Sequence, residues 1–194
     1  PIGHLPPECQ PADAADSMAI QDAVHESLTA DNYGHVIGTK IGCTTQVMQD
    51  FLGMTHPCAG AIFDATVRHG IGEFEFDSFL HVGVECEIAV RLGSSIRAAA
   101  APHSMESVSD AVAAVYPAIE IVDDRYVDFV AREPDWRTWL ADDFFGCQIA
   151  HPGLGAGVAK RAIQGAAHLG RKTQSTAIGF GDEDGFHLVA VVKA

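Results

Sequence analysis

Lysine is almost missing from the first four-fifths of this chain: Lys40 is the only lysine before Lys160, and every other cation in that stretch is an arginine. Long apolar runs are missing as well. None approaches the roughly 20 residues of a membrane-spanning helix. The opening residues Pro1-Ile2-Gly3-His4 lack the basic start and apolar stretch of a secretory signal. The expectation is a soluble, cytoplasmic protein without a membrane partner. Paired cysteines are absent too. Cys9, Cys43, Cys58, Cys86 and Cys147 are five scattered thiols with no CxxC spacing. That pattern argues against a disulfide framework and a structural zinc site, and predicts reduced, mostly buried thiols. Positive charge is scarce. A formal net charge of −14 disfavours nucleic acid and anionic lipid as partners. There is no GxSxG elbow, no GxGxxG fingerprint and no HExxH helix, which removes the common hydrolase, dinucleotide and zinc-protease readings.

What is present suffices for one domain. The chain has 194 residues, 47% of them hydrophobic, enough to bury a core. Charge changes sign near residue 155: residues 1–154 carry 23 acidic and 7 basic side chains, residues 155–194 carry 3 and 5. The spacing predicts a helix over 13–30, started by Asp13 or Asp16, with Ile20, Val24 and Leu28 on one face. A strand over 36–41 follows. Thr44 or Thr45 then caps a short helix that Gly53 stops. Strands are expected at 61–63, 73–76, 79–90 and 118–122, and a helix at 104–116. Residues 123–146 read as an excursion containing a helix. Residues 158–172 read as a helix and 187–192 as a last strand. The divisions are a helical segment (1–35), a β-rich core (36–150) and a divergent part (151–194), in an α+β domain.

Carboxylates carry the chemistry. In Gly83-Val84-Glu85-Cys86-Glu87-Ile88-Ala89-Val90, side chains alternate faces, so Glu85 and Glu87 share one face about 6.5–7 Å apart. Two like charges at that spacing repel unless a cation lies between them, and a hard divalent ion is a natural partner. A half-exposed strand with two solvated glutamates would look the same. Glu120 stands alone in the apolar segment Ala118-Ile119-Glu120-Ile121-Val122. An ionised glutamate in such a place needs a metal or a partner such as Arg125, or else faces outward from an edge strand. Lys40 sits between Gly38 and Gly42, which allow close backbone approach. It is a candidate acid–base group or a partner for a substrate carboxylate.

Three segments, in this order and spacing, carry a resemblance. Ile37-Gly38-Thr39-Lys40-Ile41-Gly42-Cys43-Thr44, Val84-Glu85-Cys86-Glu87-Ile88-Ala89 and Pro117-Ala118-Ile119-Glu120-Ile121-Val122-Asp123 resemble the signatures of the 2-keto-4-pentenoate hydratases, within the fumarylacetoacetate hydrolase superfamily. Gln21, Gln49-Asp50-Phe51-Leu52-Gly53 and Gly60-Ala61-Ile62-Phe63 fit as well, so the likeness covers roughly residues 14–150. The resemblance implies a mixed, bent β-sheet roll of the superfamily's C-terminal-domain type behind a helical N-terminal segment. It implies Mg²⁺ or Mn²⁺ on Glu85, Glu87 and Glu120, and Lys40 as the acid–base or orienting group. It implies hydration of a small 2-hydroxydienoate or 2-oxo acid, such as 2-hydroxypenta-2,4-dienoate, in aromatic catabolism. Gly42, Thr44 and Asp142 are expected to bind substrate. Homo-oligomers are expected, as is a complex with a related catabolic enzyme.

Three departures bear on activity. Relatives carry an aspartate after the proline at 57, and here the residue is Cys58, which inherits that catalytic position. Asp143-Phe144-Phe145 replaces an asparagine followed by small residues. The part after residue 150 lacks most of the family's later strands. Sister reactions on the same platform, decarboxylation or acylpyruvate C–C hydrolysis, stay open, as does an inactive homologue that binds a ligand or a partner subunit.

Overall fold

Asp13 caps the first helix by accepting the Asp16 backbone N–H, and α1 runs Ala14–Ala30. The computed structural model describes residues 2, 3, 5–127, 134–151 and 188–191. The buried face of α1 is polar. Ser17 and Gln21 are its buried residues, whereas Ile20 is exposed. Gln21 accounts for this, because its amide donates to the carbonyls of Ala59 and Leu140 at 3.1 and 2.6 Å. A buried amide with both donors satisfied is tolerated where an unpaired one is not. Of the apolar row expected on one face, Ile20 is exposed while Val24 and Leu28 are half-buried.

β1 spans Val36–Gly42. Thr45, not Thr44, caps α2 (Gln46–Leu52), and Gly53 closes it at φ 74°, a left-handed geometry that suits glycine. β2 (Cys58–Phe63) returns antiparallel to β1, and β3 is the short Val67–His69. β4 runs Val82–Leu92 and β5 Val112–Asp123, an antiparallel pair along nearly their full length. α3 (Met105–Ala111) starts with a Ser104/Ser107 capping box. It ends earlier than the 104–116 expectation, because Val112 and Val115 pair with Leu92 and Val90 of β4. β-Branched residues favour that pleated surface over a further helical turn. The strand expected at 73–76 is not formed. Phe76 begins a 3₁₀ turn instead and is 75% exposed, so alternation without a neighbouring strand was insufficient. α4 (Trp136–Ala141) supplies the helix in the 123–146 excursion. β6 (Gly146–His151) and β7 (Leu188–Val191) complete the strands, β7 falling inside the expected 187–192. The helix expected at 158–172 lies outside the described residues.

The strands form one mixed sheet, β2-β1-β7-β4-β5-β6-β3. β1 and β5 are three strand spacings apart in that order, about 14 Å on a flat sheet. Yet Lys40 of β1 lies 3.2 Å from Glu120 of β5. Ile62 of β2 likewise packs with Ala89 of β4 and with Ala114, Tyr116 and Ala118 of β5. The sheet is therefore curled, with these side chains on its concave face. A second cluster joins Leu52, Met54, Cys58, Tyr126, Trp139 and Leu140, tying α4 to the mouth of the curl. The usual alternation is inverted on β4. Val84, Cys86 and Ile88 are exposed, and the glutamates point into the concavity.

Candidate metal centre

Register brings the carboxylates together. Glu85 and Glu120 are direct cross-strand partners in the β4–β5 ladder, and Glu87 opposes Ala118. Directly opposed residues project to the same face with Cβ atoms about 5 Å apart. Glu87, two residues along, falls on that face as well. One carboxylate oxygen from each of Glu85, Glu87 and Glu120 lies within 4.8 Å of the other two. Like charges opposed across a ladder repel, so the cluster requires positive charge.

Lys40 supplies part of it. Its ammonium donates to Glu120 Oε1 at 3.2 Å and to the Phe144 carbonyl at 3.1 Å. Lys40 and Glu120 are each only 8% exposed. Two features hold the ammonium in place. The first is Gly60, the ladder partner of Lys40. A Cβ at residue 60 would sit 2.8 Å from Lys40 Cε and would also collide with the Asp143 carboxylate, so any larger residue would have to displace one of them. The second is the turn at Asp143 and Phe144, with φ of 61° and 46°. Non-glycine residues rarely adopt this left-handed geometry, and here it aims the Phe144 carbonyl at the lysine. Asp143 anchors the turn by accepting the Ala61 N–H at 2.7 Å and by meeting His25 Nε2 at 3.1 Å.

A single cavity is lined by Lys40, Gly42, Thr44, Cys58, Glu85, Glu87, Glu120 and Phe144, among others. The structure thus brings seven of the eight sequence-derived site residues to one place. Asp142 is the exception. Its Oδ2 accepts from Arg125 at 2.9 and 3.1 Å and from the Tyr126 hydroxyl at 2.9 Å. It does not line the cavity. The carboxylate ties α4 to the segment after β5, outside the cavity lining where substrate binding was expected of it. Cys58 lies on the wall, buried. Its thiol hydrogen-bonds Cys43, and that bond together with burial pushes it well above the ordinary thiol range, outweighing the nearby Lys40. It therefore stays protonated at neutral pH, unlike an aspartate there. The Phe144 carbonyl, Asp143 and the His25–Asp143 pair were not foreseen. Their only sequence signal is an acidic residue next to phenylalanines where small residues were expected.

The donor set suits a hard cation. Around an octahedral ion with Mg–O distances of about 2.1 Å, ligand oxygens lie about 3–4 Å apart, so oxygens already within 4.8 Å need to close in only slightly. Carboxylate-only sites favour Mg²⁺, Mn²⁺ or Ca²⁺ over zinc or copper.

The curled mixed sheet and its cavity define an α+β protein with a three-carboxylate cluster that could hold a cation. No family model matches the chain. A 2-keto-4-pentenoate hydratase from Burkholderia vietnamiensis (strain G4 / LMG 22486) is 35% identical over 132 residues, and one from Paraburkholderia phymatum is 33% identical over 132. Each match takes in 68% of this chain and 49% of the relative. A 4-oxalocrotonate decarboxylase from a Pseudomonas species is 35% identical over 100 residues, 51% of this chain and 38% of that one. Among solved structures, the 4-oxalocrotonate decarboxylase of Pseudomonas putida G7 with magnesium and adipate matches with TM-score 0.67 and 22% identity. That match covers 75% of this chain and 53% of the other. The same enzyme with calcium and acetate gives TM-score 0.65 at 17% identity over 94% and 78%. The chain is a homologue of the 2-keto-4-pentenoate hydratases, and it shares its fold with 4-oxalocrotonate decarboxylase. It spans about half the length of the curated hydratases it matches.

Proposed function

We propose that this protein is a metal-dependent hydratase that adds water to a small 2-hydroxydienoate such as 2-hydroxypenta-2,4-dienoate. The observation that carries the reading is the convergence of Glu85, Glu87 and Glu120 beside the buried Lys40 in one cavity. The hydratase names of the sequence relatives support it. The three glutamates would hold Mg²⁺ or Mn²⁺, which supplies Lewis-acid polarisation of a chelated carboxylate and 2-oxygen. The structural neighbours, complexed with magnesium and with calcium, are consistent with that cofactor. The sheet is read as the roll of the fumarylacetoacetate hydrolase superfamily.

The remaining work falls to this chain's residues. The Lys40 ammonium gives a proton to the terminal carbon, and the amine left behind takes up the proton that leaves the enol oxygen, giving the 3-ene 2-ketone. Water oxygen then bonds to C4 and a proton to C3, so the product is the 4-hydroxy-2-oxo acid. Glu120 and the Phe144 carbonyl keep the ammonium aimed into the cavity. Gly42 and Thr44 form the wall against which the substrate lies. Cys58, at the position where the family resemblance implies an aspartate, is a neutral group and leaves proton transfer to Lys40. Among the described residues no helix is long and apolar enough to cross a membrane. We place the protein in the cytoplasm as a homo-oligomer, working beside a related catabolic enzyme.

Decarboxylation of an oxalocrotonate-like acid is the second reading, favoured by the decarboxylase relative and by the shared fold. Incubation with 2-hydroxypenta-2,4-dienoate and Mg²⁺, followed by loss of dienol absorbance, tests the first. Formation of 4-hydroxy-2-oxopentanoate supports hydration. CO₂ release from 4-oxalocrotonate without dienoate turnover replaces it with the second reading. Metal binding with neither reaction favours a ligand-binding homologue.

A further inference from the structure

Two thiols meet on the cavity wall beside the carboxylates. Cys58 opens β2 and is the ladder partner of Gly42. A Cβ built on Gly42 would lie 3.2 Å from Cys58 Sγ, so the sulfur rests against the end of β1. The next residue is Cys43. In a continued strand its side chain would point to the opposite face. Its φ of 55° ends the alternation, and its side chain packs on the same side as Cys58, at the cavity. Cys43 packs against the cluster containing Cys58, both line the cavity, and neither is in a disulfide. Cys43 is half-buried and Cys58 is buried, so the cavity is the route by which a small oxidant reaches the pair.

We propose that Cys43 and Cys58 are a peroxide-oxidisable dithiol that closes to an intramolecular disulfide across the wall of the cavity. In the first step the Cys43 sulfur attacks one oxygen of hydrogen peroxide. The O–O bond breaks, Cys43 becomes a sulfenic acid and water leaves. In the second step the Cys58 sulfur attacks the Cys43 sulfur, the S–O bond breaks and the hydroxyl departs as water with the Cys58 proton. The sum is two thiols and one peroxide to one disulfide and two waters. Cys43 takes the first role because it is the more accessible. Cys58, buried against the end of β1 and packed beside Cys43, is placed to resolve the sulfenic acid. Neighbouring positions at the ends of paired strands fall within the Cα range a disulfide tolerates. The bond would fix residues 42–44 to the start of β2, narrowing the cavity next to Lys40. The cross-link rests on the thiol geometry alone, and only its effect on turnover rests on the hydratase reading.

The test treats the full chain with one to a few equivalents of hydrogen peroxide and maps the digested protein by mass spectrometry. The expected result is a Cys43–Cys58 linked peptide, an intact mass lower by about 2 Da, and full reversal by dithiothreitol. Cys43→Ser and Cys58→Ser each abolish the link, while Cys9→Ser and Cys86→Ser keep it. Sulfinic or sulfonic acid at Cys43 without a link overturns the proposal. So does a link that joins either residue to another cysteine. If the protein turns over dienoate, peroxide lowers the rate at least tenfold and dithiothreitol restores it. Rate loss without the link would place the damage elsewhere and contradict the switch, whereas formation of the link in a protein without turnover leaves the dithiol intact and counts against the hydratase reading alone.

Discussion

Lys40 and Glu120, three strands apart in the sheet order, form a buried ion pair at 3.2 Å that also makes Glu120 part of the carboxylate cluster. Each group explains the other. The lysine is tolerated because the carboxylate neutralises it, and the carboxylate because the lysine neutralises it in turn. Removing one partner of such a pair strands the other charge, which typically costs about 3–5 kcal/mol. Lys40→Met should therefore lower the melting temperature of the metal-free protein, with Mg²⁺ restoring much of the loss by neutralising the three glutamates. Dienoate turnover should fall by at least about 100-fold, the range of a lost acid–base group. Thermal scans with and without Mg²⁺, beside steady-state rates, check both. An unchanged rate would remove Lys40 from the chemistry.

Glu87 is half-buried on the face of β4 that points into the curl. Glu87→Gln keeps the volume and removes one anionic ligand. Mn²⁺ affinity should drop at least about tenfold, about 1.4 kcal/mol. Metal-free stability should hold or rise, since like-charge repulsion is relieved. Calorimetric titration and urea unfolding separate the two effects. A loss of stability with unchanged Mn²⁺ affinity would count against the site.

Asp142 gives the contrasting case. Its carboxylate accepts from Arg125 and Tyr126, so Asp142→Ala removes three hydrogen bonds from this tie. A loss of about 1–3 kcal/mol in stability is expected, with Mn²⁺ affinity unchanged. A selective rise in KM with unchanged melting would return Asp142 to the substrate site.

Alkaline pH should destabilise the fold. Burial, then the Asp142 carboxylate, pushes the Tyr126 phenol well above its ordinary 10.0. The Cys43 hydrogen bond, then burial, pushes the Cys58 thiol well above 9.0. The unfolded chain releases both protons near those ordinary values and the folded chain retains them. Above about pH 9 the unfolded state binds fewer protons, so stability falls as pH rises. The slope reaches at most about 1.4 kcal/mol per pH unit for each group. Urea midpoints from pH 7 to 11 should be flat and then decline, and Tyr126→Phe should lessen the decline above pH 10. A midpoint flat to pH 11 would contradict it.

Much of the fold was legible because its local signals agree. Asp13 and Gly53 bound their helices as capping chemistry predicts, and the pleat placed Glu85 and Glu87 on one face. What could not be read was register and curvature. Glu120 opposes Glu85 because of a pairing between segments 35 residues apart. Lys40 reaches Glu120 because the sheet curls. Neither is a property of any single segment. The strand wrongly expected at 73–76 and the overlong helix at 104–116 have the same origin, since the presence or absence of a ladder partner overrode local propensity. Gln21 shows the converse. Its burial follows from two carbonyls supplied by distant elements, so a polar residue packs where the helical pattern favoured Ile20. The left-handed turn at Asp143 and Phe144 broke the rule that such positions take glycine or asparagine, and it hid the carbonyl that steadies Lys40.

The central claim is that Glu85, Glu87 and Glu120 hold one divalent cation. Crystals grown with Mn²⁺ and oxalate, with data collected at the manganese edge, test it most directly. One anomalous peak is predicted, within about 2.3 Å of an oxygen from each of the three glutamates and with oxalate completing the shell. A peak elsewhere, or an empty triad at saturating Mn²⁺, would contradict the account.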